Sequence, residues 1–79
     1  MLIIAETKKL QFRQKYLEPK INLKAVRKSK KWSTSYVASL IGLERRQYEL
    51  KESGKYPFRD YEMKILSEAF KMSIVDLFF

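Results

Sequence analysis

Only two glycines occur in the chain, Gly42 and Gly54, and each follows a short run whose apolar residues recur three and four positions apart. That recurrence is the period of a helix with one buried face. Glycine takes up the left-handed backbone that ends a helix without steric cost, so each glycine reads as a stop signal. A chain punctuated in this way packs several short helices around a single core. From Leu23 onward the pattern predicts an all-α fold, a five-helix bundle.

The first block predicts a helix over residues 22–30, with Asn22 as N-cap, Leu23, Val26 and the alkyl stem of Lys30 directed inward, and a basic outer side. Trp32 and Ser33 read as a staple residue followed by an N-cap, which opens a helix over residues 34–41 burying Val37, Ala38 and Ile41. Gly42 ends that helix, and Leu43 folds back onto the core. The next helix follows at once over residues 44–53, with Tyr48 as its inward anchor, Arg45 and Arg46 in its first turn, and Gly54 closing it. After Pro57, a fourth helix over residues 59–71 sets Met63, Leu66 and Phe70 along one face. Ser73 caps a last short helix ending at Phe78, in which Ile74, Leu77 and one of the two terminal phenylalanines close the bundle.

Residues 1–20 form an arm outside this domain of residues 21–79. Leu10, Phe12, Tyr16 and Leu17 suit a helix and a strand equally. Pro19 marks the junction, because the residue before a proline is pushed out of helical geometry.

Hydrophobic residues make up 46% of the 79 and charged residues 33%, the balance of an ordered globular chain rather than a disordered one. Seventeen Lys and Arg against nine Asp and Glu leave a formal charge of +8. That sign suits a phosphate backbone, with simple solubility as the plainer explanation. The chain has no cysteine and no histidine. Disulfides, thiolate nucleophiles, zinc sites of ordinary type and a Ser/His/Asp triad are thereby excluded, and no glycine loop suited to cradling phosphate is present. No enzyme activity, metal or cofactor is expected. The apolar opening, Met1 to Ala5, is too short for a signal-peptide core or a membrane span, so a cytoplasmic location and no membrane partner are expected.

The stretch from Ser33 to Ser53 joins two short helices through a tight glycine turn, and the second opens on Arg45-Arg46-Gln47. A helix about 10 to 12 Å across fits a DNA major groove about 12 Å wide. Four fragments stand in order along the chain. Leu23 is followed by Arg27, then Ser33 by Val37-Ala38 and Ile41-Gly42-Leu43. Tyr48 leads to Glu52-Ser53-Gly54-Lys55 and Pro57, and Leu66 to Phe70, Met72-Ser73-Ile74 and Leu77-Phe78. With these residues the sequence resembles the lambda-repressor/Cro-like helix-turn-helix family, also called the XRE family, over Leu23 to Phe78.

The resemblance implies that the helix over residues 44–53 lies in the major groove and that the start of the preceding helix touches the DNA backbone. Arg45 and Arg46 match base-reading positions, where an arginine fork suits the two acceptors of guanine. Gln47, Glu49 and Leu50 are further readout candidates, Leu50 through a thymine methyl. Ser33, Thr34, Lys55 and Arg59 match backbone-contact positions, and Lys28, Lys30 and Lys31 either extend that basic surface or face solvent. Arg27 and Glu52 match an internal ion pair that joins two helices.

A plainer reading stands beside each role. Arg45 and Arg46 can merely solvate a helix, pairing with Glu44 or Glu49, and Ser33 and Thr34 can be ordinary caps. The sequence departs from the family pattern at Leu40 and Leu50, which are apolar where polar residues are usual, at Lys51, where an apolar residue is usual, and in the arm. The function so implied is an operator-binding transcriptional regulator, a repressor of phage or mobile-element type acting as a homodimer. The alternative is a protein-interaction module on the same fold, an antirepressor or antitoxin docking a protein through Leu40, Leu50, Phe78 and Phe79.

Overall fold

The computed structural model describes the backbone of residues 2–79 and the side chains of residues 8–79. Among the described residues there is no strand, and the chain runs through α1 (Leu2–Tyr16), α2 (Ile21–Ser29), α3 (Thr34–Leu40), α4 (Arg45–Glu52), α5 (Asp60–Phe70) and α6 (Ile74–Phe78). Helices α2 to α6 enclose one core, the all-α, five-helix bundle that the periodicity predicts. Leu23, Val37, Ala38, Tyr48, Leu66, Phe70 and Leu77 are buried there, one or two from each helix, together with Ile41 at the C-cap of α3.

Sequence signals account for most helix ends. The Ser33 hydroxyl accepts the Tyr36 N–H at 3.0 Å, and the Ser73 hydroxyl accepts the Asp76 N–H at 3.0 Å, each satisfying a donor that the first helical turn leaves free. Gly42 has φ +71°. Around it the Leu43 N–H reaches the Ala38 carbonyl at 2.9 Å and the Gly42 N–H reaches Ser39 at 3.4 Å, the paired bonds of a Schellman turn. This turn lets α4 start within a few residues of the end of α3 and pack directly against it. Lysines fill the equivalent left-handed position at two other helix ends, Lys31 (φ 59°) after α2 and Lys71 (φ 55°) after α5.

Three expectations are corrected. Asn22 is not an N-cap: α2 begins at Ile21, Lys20 holds the cap position, and no side chain caps it. The cause is tertiary, because the Lys20 N–H donates to the Glu52 carbonyl at 2.8 Å, fastening the entry of α2 to the last turn of α4. Lys30 is exposed rather than directed inward; its ammonium lies 5.3 Å from the centre of the Trp32 ring. Of the two terminal phenylalanines Phe78 closes the core, its ring 5.2 Å from that of Phe58, so it offers no surface to a partner, whereas Phe79 is 78% exposed.

The arm, open between helix and strand in the sequence, is the helix α1. It reaches the bundle through the junction at residues 17–20. A Cβ on Gly54 would lie 2.5 Å from the Pro19 nitrogen and 2.6 Å from the Glu18 carbonyl carbon, so the junction crosses the end of α4 at a distance only glycine permits. Arg13 adds a second tie, an Nη2 bond of 3.5 Å to the Lys55 carbonyl and a position over the Tyr56 ring. The molecule is accordingly elongated, 47 Å by 24 by 19 Å.

Candidate nucleic-acid interface

Helix α4 has an inner and an outer side. Tyr48 and Glu52, four residues apart and therefore on one face, point inward. The Glu52 carboxylate accepts both arms of the Arg27 guanidinium, Nε at 2.8 Å and Nη2 at 3.0 Å, and the Tyr48 hydroxyl donates to its Oε2 at 2.6 Å. Arg27 Nη1 also reaches the Trp32 carbonyl at 3.0 Å. The expected pair of Arg27 and Glu52 is thus brought together, bidentate and buried, and joins α2 to α4. The hydrogen bond to Glu52 raises the Arg27 pKa above its ordinary value, against the smaller opposing effect of burial. Burial, then the bond to Glu52, hold the Tyr48 phenol protonated well above its ordinary range.

The outer side carries Arg45, Arg46 and Gln47 in the first turn, all exposed. Arg45 is 66% exposed in its side chain, and its Nη1 lies 3.7 Å from Glu49 Oε2, a loose pair one turn along. Among the described residues Arg46 has no carboxylate within ion-pair distance. Gln47 Oε1 accepts the Glu44 N–H at 3.1 Å, so its carbonyl caps α4, while its amide N–H groups have no partner among the described residues. Leu50 is half-buried and lines a groove of about 460 Å³ with Leu43, Tyr56, Pro57 and Tyr61, between α4 and α5.

The Ser33 hydroxyl oxygen caps α3 by accepting the Tyr36 N–H, and its O–H donor has no partner among the described residues. The Thr34 hydroxyl donates to Glu49 Oε2 at 2.7 Å, so two residues expected to touch DNA separately bond to each other. Lys55 and Arg59 are exposed in the segment between α4 and α5, and Lys28, Lys30 and Lys31 are exposed at the end of α2 and just beyond it.

One buried contact was not foreseen. Lys51 Nζ meets Glu62 Oε1 at 2.6 Å, and the Arg59 N–H donates to the same oxygen at 2.8 Å, while Glu62 Oε2 is buried without a partner. This explains a cation at an apolar position of the pattern: Lys51 answers a carboxylate that the first turn of α5 carries into the interior. The signal available was the departure at Lys51 itself. The pairs Arg27–Glu52 and Lys51–Glu62 each cancel, so the whole net charge of +8 belongs to the other side chains.

Comparison with known proteins adds no relative: no family model matches the chain, nor does any curated protein or solved structure. No helix among the described residues is long and apolar enough to cross a membrane.

Proposed function

We propose that this chain is a sequence-specific double-stranded DNA-binding regulator of transcription, inserting α4 into the major groove. One observation carries the reading: Arg45 and Arg46 stand side by side and exposed at the front of a helix whose opposite face is locked into the core by Tyr48 and Glu52. Rigid support behind exposed guanidinium forks is what base readout requires, since a fork meets the guanine acceptors only when held in register. The exposed cations Lys28, Lys30, Lys31, Lys55 and Arg59 supply phosphate contacts that strengthen binding without reading sequence. Binding as a homodimer to a two-fold operator, and repression of phage or mobile-element type, follow from the family resemblance.

The test is selection of bound duplexes from a random-sequence library at two salt concentrations. The proposal expects an enriched inverted repeat and an affinity that falls steeply with salt, by roughly 0.9 in log–log slope for each phosphate neutralised. Retention with no enriched motif contradicts sequence-specific reading.

Exposed apolar side chains favour a second reading, docking to a protein. Phe79 and the α1 residues Leu10, Phe12 and Tyr16 are uncovered, although Phe78 does not contribute. An apolar interface would bind with little salt dependence and a negative heat-capacity change.

A further inference from the structure

Glu49 lies on the outer side of α4 between two residues that reach it from different directions. Thr34, the first residue of α3, donates its hydroxyl to Oε2 at 2.7 Å, and Arg45 Nη1 approaches the same oxygen at 3.7 Å from one turn earlier on α4. Resting on the DNA-binding reading above, we infer that Thr34 and Glu49 are positioning residues that aim the Arg45 guanidinium. Neither then reads a base or holds a phosphate itself.

An exposed arginine samples many rotamers, and a fork must lose that freedom before it can meet O6 and N7 of guanine together. An unrestrained Glu49 would be equally mobile and a poor guide. The bond from Thr34 removes that mobility, because its hydroxyl springs from a β-branched side chain with restricted χ1 at the start of a helix packed firmly on α4. The carboxylate is thereby fixed relative to both helices of the helix-turn-helix. Arg45 has no other partner among the described residues, whereas Arg46 lacks even this one, so the two arginines differ in preorganisation. Arg45 becomes the stringent reader and Arg46 the adaptable one. The Thr34 hydroxyl proton already goes to Glu49, which leaves that group nothing to donate to a phosphate.

The decisive experiment is selection from random duplexes with wild type, Arg45→Ala, Thr34→Val and Glu49→Gln, with a thermal melt of each. Arg45→Ala marks the base position that Arg45 reads. The inference expects Thr34→Val and Glu49→Gln to lower preference at that same position by about 3- to 10-fold, to leave the other positions unchanged, and to lower Tm by no more than the loss of one hydrogen bond, with the fold intact. The double variant should lose no more than Glu49→Gln alone, since both act through one chain of contacts. Uniform weakening by Thr34→Val, with a shallower salt dependence, would overturn the inference in favour of a phosphate contact. Loss at a different base position in Glu49→Gln would overturn it in favour of direct readout by Glu49. A wild-type protein that enriches no motif would instead sink the DNA-binding reading, and the inference with it.

Discussion

The two sides of α4 use the same chemistry, arginine against glutamate, to opposite ends. On the inner side Arg27 and Glu52 meet at 2.8 and 3.0 Å, buried, with the Tyr48 hydroxyl also donating to Glu52 and the Trp32 carbonyl also accepting from Arg27. On the outer side Arg45 and Glu49 stand 3.7 Å apart in solvent. The inner pair has no water to fall back on, so its geometry is fixed and its loss is costly. The outer pair is screened and contributes little to stability, and the remaining N–H donors of Arg45 stay open to another acceptor. A helix with this contrast is held from behind and open in front.

The largest way to break the contrast is Glu52→Ala, which leaves a buried guanidinium and a phenol without their acceptor. We expect a loss of about 3 to 5 kcal/mol in denaturant unfolding, enough to unfold a small domain at ambient temperature. The second buried carboxylate sharpens the comparison, because Glu62 leaves Oε2 unsatisfied where Glu52 leaves nothing. Lys51→Met with Glu62→Leu should therefore recover much of the stability that either single change loses, leaving a deficit of about 1 kcal/mol from the cap bond of the Arg59 N–H that leucine cannot accept. Partial restoration of stability in the double variant is the outcome to look for in a urea titration.

Tyr48→Phe is a smaller perturbation, removing one of three bonds to Glu52 at a cost of about 1 kcal/mol. Its pH dependence has a definite sign. The folded state raises the Tyr48 pKa above the ordinary phenol value of about 10, so the unfolded phenol ionises first as the solution becomes alkaline. Stability from this group is complete below about pH 10 and falls above it, and the difference between wild type and Tyr48→Phe should narrow there. The smallest effect is expected at Lys71, whose φ of 55° places an ordinary side chain in the left-handed region. Lys71→Gly should gain a few tenths to about 1 kcal/mol, the relief of strain being partly offset by the greater freedom of glycine in the unfolded chain.

Features specified by neighbouring residues were legible in the sequence. Ser33 and Ser73 cap, Gly42 turns, and the apolar period brings Leu23, Val37, Tyr48, Leu66 and Leu77 into one core. Arg27 and Glu52 were legible only through the resemblance, since nothing local relates residues so far apart. What escaped was set by tertiary contact. Phe58 follows Pro57 in a segment without periodicity, yet is buried between Tyr48 and Phe78. Glu62, in the first turn of a helix, looks like a surface acid complementing the helix dipole; its bonds from Lys51 and from the Arg59 N–H draw it inside. The start of α2 went to Lys20 rather than Asn22 because a backbone bond from across the bundle fixed it. At the site, exposure of Arg45 and Arg46 was foreseeable, whereas the meeting of Thr34 with Glu49 depends on how α3 packs on α4.

In the proposed function the outer arginines read bases while the inner side supports them. Binding of Arg45→Ala and Arg46→Ala to the duplex selected by the wild type, and to single-base variants of it, measures this most directly, with Tm followed in parallel. The predicted result is an unchanged Tm and a loss of about 1 to 3 kcal/mol per arginine, each confined to its own base position. Equal weakening on every duplex, matched by a reduced salt slope, would contradict it and leave the two arginines as phosphate contacts only.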